Sequence, residues 1–228
     1  MDDAGNDGAR AGTPSGDDLA RRSYHHGDLK NALLDAATRL IDTKGVAGLS
    51  LRGVAREAGV SQAAPYHHFK DKEALVAELC KQAFGELGTR MAAALEGCCG
   101  GAEPADQPEA LDAVGRTYLA FSRERRAWFA IMWGGDIEDK EAYPELVATA
   151  RCTFEMLVGV IVRGQEQGDI RPGNPVELAV SSWAAVHGAA RLIVDKGIDN
   201  EGMRDKGIDA EMVERGTLDM VRRALTPA

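Results

Sequence analysis

The sequence predicts an all-α protein, and its composition and residue pattern support this in three ways. Alanine and glycine are abundant, apolar residues recur at helical spacing, and the alternation typical of strands does not recur. Of the 228 residues, 44% are hydrophobic, which is enough for a buried core, while aromatic residues make up only 5%. At this length we expect either one large domain or two small ones.

Helices are predicted from a polar N-terminus onward. Residues 1–20 are rich in Gly, Asp, Ala, Ser and Pro and cannot bury enough surface to offset ordering entropy, so a disordered tail is expected. A first helix is predicted at 28–44, where Gly45 ends it, and a long helix at 71–96, where Asp71 caps it. A loop is expected at 97–108. The remaining predicted helices lie at 109–123, 127–133, 143–167, 176–196 and 210–225.

The net charge of -9 hides an uneven distribution along the chain. Residues 21–72 carry nine Lys and Arg against five acidic residues, whereas the segments on either side are acidic. Positive charge concentrated on one part of a chain is typical of a nucleic-acid-binding domain. A basic arm is one interpretation of Arg21, Arg22, Tyr24, His25 and His26, and a solvated lead-in is the other.

Cysteine content and apolar runs indicate a cytoplasmic protein. Four irregularly spaced cysteines do not form the framework of a disulfide-rich secreted domain. The N-terminus is polar and acidic rather than apolar as in a signal peptide. The longest apolar run, at residues 156–162, is far too short to cross a bilayer.

Residues 49–72, LSLRGVAREAGVSQAAPYHHFKDK, form the most informative stretch of the sequence. They predict two short helices, with Ser50 capping the first, Gly59 ending it in a positive-φ conformation and Ser61 capping the second. The second helix has little apolar surface to bury and carries Gln62, Tyr66, His67 and His68. This pattern favours a helix-turn-helix whose second helix enters a DNA major groove.

The same stretch resembles the N-terminal domain of TetR-family transcriptional regulators. The resemblance covers about residues 28–79 and rests on the run AGVS, on YHHF at 66–69, and on KDK followed by Ala74 and Leu75. Pro65 departs from the family pattern, in which many relatives carry Leu. The resemblance implies an N-terminal helix-turn-helix domain followed by a C-terminal helical domain for effector binding and dimerisation.

Carried over position by position, the resemblance implies DNA contacts at Ser50, Arg52, Gln62, Ala63, Ala64, Tyr66, His67, His68 and Lys72. The amide of Gln62 matches the donor and acceptor of adenine, and Lys72 matches a phosphate-binding lysine. The other reading places Tyr66 and His68 in the packing of the domain, and Gln62 and Lys72 on a solvated surface. Gly53 within the first motif helix costs about 1 kcal/mol relative to Ala, and the sequence offers no reason for it.

The C-terminal half carries a weaker signature. Trp183, His187 and Gly188, in WAAVHG, resemble the Trp-His-Gly signature of one C-terminal domain type among TetR-like proteins. Trp183 and His187 are four residues apart and therefore share a helix face. They are interpreted as a packed core or interface pair beside Gly188, which would permit close approach, or as part of a ligand cavity.

In the family an effector pocket lies among the C-terminal helices, and such pockets are mostly apolar. Large side chains in this region are candidates for its wall, although an apolar stripe at helical spacing is more often core. The candidate ligand-binding residues are Tyr118, Phe121, Trp128, Met132, Phe154, Trp183 and His187.

Other kinds of site have little support. Cys98 and Cys99 lack a nearby basic partner that would lower a thiol pKa, so a redox role is not favoured. The repeated DKGID at 195–199 and 205–209 does not fit a calcium loop and is interpreted as local duplication. The sequence contains no phosphate-binding loop, nucleophile elbow or HExxH helix, so no catalytic residues, cofactor or metal are predicted.

The resemblance implies three segments: a tail at 1–20, a DNA-binding domain at 21–72, and an effector-binding and dimerisation domain at 73–228. It implies a homodimeric repressor that a small, largely apolar effector releases from a palindromic double-stranded operator. Two alternatives stay open: a DNA-binding activator or architectural protein without a ligand, and an enzyme that carries this domain.

Overall fold

The computed structural model describes residues 16–98, 107–195, 197–198 and 201–227 of the chain. Over these residues the protein is helical and contains no strand, which confirms the all-α class. The helices of this part of the chain are α1 (Gly16–Lys44), α2 (Leu51–Glu57), α3 (Lys72–Cys98), α4 (Gln107–Glu124), α5 (Arg126–Trp133), α6 (Pro144–Gln167), α7 (Pro175–Val194), α8 (Glu201–Arg204) and α9 (Ala210–Leu225). None of them combines the length and apolarity needed to cross a membrane.

The start of α1 differs from the prediction. The helix begins at Gly16 rather than near residue 28, so it includes the last residues of the expected tail. Residues 1–15 lie outside the described part of the chain, as do the side chains of the proposed basic arm at residues 21–26. Gly45 ends α1 as predicted. Its φ is 70°, a backbone angle that residues with a side chain rarely adopt.

The N-terminal bundle consists of α1, α2, the first turns of α3 and two 3-10 helices, Val46–Gly48 and Ala64–His67. Its helices are held together by apolar side chains that recur at helical spacing and point to one centre. The residues that form this core include Leu33, Leu40, Ile41, Val54, Phe69 and Leu75, each at most 5% exposed.

The C-terminal helices pack around α3 and α4. Helix α3 lies against α4, α5 and α6, while α4 also contacts α6, α7 and α9, and α7 packs along α9. The core between them contains Phe121, Phe129 and Met132, all fully buried. Because α3 starts in the N-terminal bundle and continues through the C-terminal one, it is shared by both.

Several predicted helix ends are confirmed and a few are shifted. Asp71 Oδ1 accepts the backbone N–H of Ala74 at 2.8 Å, which is the predicted cap of α3. Pro144 starts α6, and Gly168 ends it with a φ of 83°. Helix α7 ends at Val194, not near residue 196. Most of the loop predicted at 97–108, including Cys99 and the Cys98 side chain, lies outside the described residues.

Candidate nucleic-acid interface and ligand cavity

The first helix of the motif has the predicted ends. Ser50 Oγ accepts the backbone N–H of Gly53 at 3.1 Å, which satisfies one of the free donors at the start of α2. At the other end Gly59 has a φ of 69°, and the N–H of Val60 donates to the carbonyl of Ala55 at 3.0 Å. This bond, six residues to one, is that of a Schellman motif.

Gly53 has a packing reason that the sequence does not reveal. It is buried, and a Cβ at this position would lie 3.0 Å from Ser50 Oγ and 3.6 Å from Leu40 Cδ1. A side chain here would therefore crowd the capping serine and lie in ordinary contact with the core of α1. The glycine accommodates both the N-cap and the close packing of α2 on α1.

The second helix of the motif is the 3-10 helix Ala64–His67, not an α-helix capped by the Ser61 side chain. The N–H of Ala64 donates to the Ser61 carbonyl at 3.0 Å, with the spacing of three residues that defines this helix. Pro65 has no N–H and so cannot make the α-type bond to the Ser61 carbonyl. The predicted side-chain cap was wrong because Ser61 contributes its carbonyl instead.

Six of the predicted DNA-contact residues have exposed side chains, and we call this set the reading face. Its members come from the start of α2 and from the turn and 3-10 helix that follow α2, and Tyr66 is 52% exposed. The reading face consists of Ser50, Arg52, Gln62, Ala63, Tyr66 and His67. An exposed large aromatic group among polar neighbours indicates a contact surface rather than core.

Two other predicted contact residues are turned inward. Ala64 is 9% exposed, and Pro65 beside it is buried as well. The prediction that Ala64 meets the groove floor is therefore wrong. His68 is half-buried, and its ring centroid lies 6.3 Å from that of Phe69.

Lys72 has partners within the protein. Its Nζ donates to the carbonyl of Val46 at 2.9 Å and lies 4.0 Å from Asp136 Oδ1 in the loop after α5. The side chain is 38% exposed, and an ammonium group has three donors, so a phosphate contact is compatible with these bonds. The phosphate-binding role stays a prediction.

Further contacts join the two bundles, and we call this contact region the seam. The indole N–H of Trp128 on α5 donates to Thr38 Oγ1 on α1 at 3.2 Å. Lys70 Nζ lies 5.5 Å from the ring centroid of Tyr143, at the start of α6. The structure therefore places Trp128 in the seam and away from the cavity, so its predicted ligand contact is wrong.

A cavity of about 490 Å³ lies among α3, α4, α5, α6, α7 and α9. Its size is within the range of about 300–1,000 Å³ that is typical of small-molecule sites. Three predicted ligand-binding residues line it, namely Tyr118, Phe154 and Trp183. Phe121 and Met132 do not line it. Both side chains are fully buried and fill the core between the helices.

His187 does not line the cavity, but it contacts Tyr118, which does. Its Nδ1 lies 2.7 Å from Tyr118 Oη, and Trp183 Nε1 donates to the same oxygen at 3.5 Å. Burial lowers the pKa of His187, and the nearby Arg191 lowers it further, so the ring is neutral at pH 7. Burial raises the pKa of the Tyr118 hydroxyl well above its usual range. Tyr118 therefore remains protonated and is able to donate to His187.

The Trp-His-Gly signature has a structural explanation in part. The ring centroid of Trp133 on α5 lies 5.1 Å from that of Trp183 and 4.9 Å from that of His187, so α5 and α7 meet through aromatic contacts. A Cβ on Gly188 would meet no described atom within 4 Å. The expectation that Gly188 permits close approach is therefore not met within this chain.

Much of the cavity wall was missed by the prediction. Cys80, Phe84, Leu87 and Met91 line it from one face of α3. Their helical spacing indicated an apolar face, but nothing in that spacing separates a cavity wall from core. Burial raises the pKa of Cys80 to about 11, so its thiol is protonated and unreactive at pH 7.

Two family models match the chain. The model for bacterial regulatory proteins of the tetR family matches residues 33–79, and the model for the tetracyclin repressor-like C-terminal domain matches residues 111–217. The second match agrees with the C-terminal resemblance, while the Trp-His-Gly type itself stays a prediction.

Individual relatives agree with these matches. The HTH-type transcriptional repressor KstR2 of Rhodococcus jostii is 28% identical over 192 residues, 76% of this chain and 83% of the repressor. The HTH-type transcriptional regulator BetI of Rhizobium meliloti is 29% identical over 132 residues, 58% of this chain but only 64% of the regulator. A structure of a protein of unknown function from Rhodococcus sp. RHA1 matches with a TM-score of 0.74 and 32% identity, covering 90% of this chain and 98% of that one.

The two model matches cover the reading face and most of the cavity helices, and the named relatives are transcriptional regulators, not enzymes. The chain is a helix-turn-helix DNA-binding transcriptional regulator that belongs to the tetR family of bacterial regulatory proteins.

Proposed function

We propose that the protein is a homodimeric repressor that leaves a palindromic operator when a small, largely apolar effector fills the cavity. The observation that carries this proposal is the course of α3. The helix starts directly after the motif, where Lys72 bonds the N-terminal bundle, and lines the cavity further on. A change in the cavity therefore acts on the helix that supports the reading face.

The reading face would meet the DNA. Gln62 would read a base edge, Ala63 would bring the backbone close to the groove, and Ser50, Arg52, Tyr66, His67 and Lys72 would contact phosphates or bases. In this proposal His68 supports the domain through Phe69. The domain boundaries proposed are a tail at 1–20, a DNA-binding domain at 21–72 and an effector domain at 73–228.

Helices α7 and α9 would form the dimer interface. They carry large apolar side chains that are about half exposed in the single chain: Val176, Val180, Leu192, Met212 and Met220. Exposed apolar groups concentrated on two adjacent helices favour a self-complementary contact. A two-fold axis there would present two reading faces to successive major grooves of a palindrome.

Footprinting of the full chain on the promoters of its own and neighbouring genes tests the proposal. We expect protection of a palindromic site, followed by loss of protection when compounds that bind the cavity are added. The coupling is reciprocal, so operator DNA should weaken the binding of the same compound. Equal operator affinity with and without every cavity-binding compound would contradict the proposal and favour a ligand-independent regulator.

A further inference from the structure

We infer that the part of the effector enclosed by the cavity is an extended, unsubstituted hydrocarbon chain, and that its single polar end lies at Lys140 and Glu141. This inference rests on the proposed function, because it names the chemistry of the molecule that would fill the cavity. The polar groups of the wall, the length of the wall and the charges at its two ends carry it.

The aromatic part of the wall offers no free hydrogen-bond donor to a ligand. The Tyr118 hydroxyl is bonded to His187 at 2.7 Å, and the Trp183 indole N–H is bonded to Tyr118 Oη at 3.5 Å. The indole N–H of Trp133 has no acceptor of ordinary geometry among the described residues, but the atom is covered by protein. The donor of Trp133 is therefore covered by protein and not open to a ligand.

The two hydroxyl groups of the wall that belong to Thr153 and Ser182 also donate their hydrogen bonds within the protein. Thr153 Oγ1 donates to backbone carbonyls, 3.1 Å from that of Phe84 and 3.0 Å from that of Thr149. Ser182 Oγ donates to the carbonyl of Leu178 at 2.8 Å. A carbonyl oxygen in the middle of a bound molecule would thus lose its water without gaining a donor from these groups.

The wall is long for its volume. Lining residues run along α3 from Cys80 to Met91 and along α6 from Leu146 to Leu157. Each stretch measures about 16 Å at the helical rise, whereas a spherical void of the cavity's volume, with the radius of a water molecule added on each side, would be only about 13 Å across. An extended chain fits this shape better than a compact ring system does.

The two ends of the wall differ in charge. Lys140 and Glu141 are exposed and line the end beside Cys80, whose thiol pKa responds to the Lys140 charge. At the other end Asp112 lies 3.6 Å from Arg116 and 3.7 Å from Arg222, so its charge is already paired. The polar end of the ligand therefore lies at Lys140 and Glu141, which have opposite charges and select weakly for the charge of the head group.

A binding series on the full-length protein tests the inference, with titration calorimetry as the readout. Octanoate, decanoate, dodecanoate and tetradecanoate should gain about fourfold in affinity per methylene until the cavity is filled, after which affinity stays level. Dodecanol and dodecyltrimethylammonium should bind within about tenfold of dodecanoate. A dodecanoate with a keto group in mid-chain should bind roughly tenfold more weakly or worse. Equal or tighter binding of the mid-chain keto compound, or no dependence on chain length, would overturn the inference.

A matched pair of variants separates binding in the cavity from binding elsewhere. Ala150 lines the cavity on α6, and Ala148 is exposed on the outer side of the same helix. Ala150→Phe should move the level part of the series to shorter chains, and Ala148→Phe should leave the series unchanged. Thermal unfolding shows whether both variants are folded. If they are, an identical affinity series for the two would also contradict the inference. If Ala150→Phe does not fold, the affinity series of the wild-type protein decides.

The same probes separate this inference from the proposed function. Chain-length-dependent binding that leaves operator affinity unchanged would contradict the repressor mechanism and support the cavity chemistry. Release from the operator by compounds whose affinity depends neither on chain length nor on a mid-chain polar group would support the repressor mechanism and contradict the cavity chemistry.

Discussion

The reading face and the cavity wall use opposite kinds of side chain, and only one of them stands out in the sequence. The reading face places polar and aromatic groups such as Gln62 and Tyr66 in solvent, where packing does not require them. The cavity wall consists of residues such as Leu87 and Leu157, which would serve equally well in a core. A surface that is polar by necessity leaves a signal in a sequence, whereas a void between apolar helices does not.

The contrast also concerns how local the structure is. Ser50, Gly59 and Pro65 shape the motif through bonds to residues a few positions away. The cavity instead needs six helices, α3 to α7 and α9, at their final distances from one another.

The largest effect should separate core from cavity wall. Phe121 is fully buried and absent from the wall, whereas Phe154 is half-buried and lines it. Phe121→Ala should lower the free energy of unfolding by about 3–5 kcal/mol, because it creates a new cavity. Phe154→Ala should lower it by only about 1–2 kcal/mol, because its ring already borders an empty space. Denaturant unfolding measures the free energy of unfolding of both variants. Equal losses would contradict the distinction between a core residue and a residue of the cavity wall.

The next effect concerns base reading. Gln62→Ala should lower discrimination at one or two positions of each half-site by about 1–3 kcal/mol, since the amide is lost from the reading face. The comparison variant, Lys72→Ala, should weaken binding to all operator sequences alike and reduce the salt dependence. Affinities for a set of operator variants measure both. A uniform loss for Gln62→Ala would contradict base reading by this residue.

A smaller effect should distinguish the two serines of the motif. Ser50→Ala removes the N-cap bond to Gly53 and should lower the free energy of unfolding by about 1 kcal/mol. Ser61→Ala should change it by less than about 0.5 kcal/mol, because Ser61 bonds Ala64 through its carbonyl. Unfolding curves of the two variants provide the measurement, and the reverse order would restore the side-chain cap at Ser61.

The smallest effect should come from pH. Because the pKa of His187 is lowered on folding, the unfolded chain binds more protons between the two values. The stability from His187 is therefore complete above its unfolded pKa of about 6.5 and is lost as pH falls toward the folded value. His187→Gln should reduce the stability difference between about pH 7.5 and about pH 5.5. If the stability difference between the two pH values is the same in His187→Gln as in the wild type, His187 does not contribute to the pH dependence of stability.

The predictions made from sequence succeeded where local chemistry decides the structure. The helix-turn-helix, the cap at Asp71, the helix at Ala210–Leu225 and the start of α6 within one residue of position 143 follow from capping residues and apolar spacing. The second helix of the motif, predicted with a Ser61 side-chain cap, is instead a 3-10 helix, in which Pro65 has no N–H for the α-type bond to the Ser61 carbonyl.

The sequence by itself determined the class of the protein and the position of its reading face, because caps, turns and charge act over a few residues. Only the tertiary structure decided which apolar residues enclose a cavity, that Trp128 lies in the seam, and that Tyr118 bonds His187. These depend on distances between helices that are far apart in the chain. An apolar side chain has the same chemistry whether it faces a neighbour or a void, so only its surroundings in the folded protein show its role.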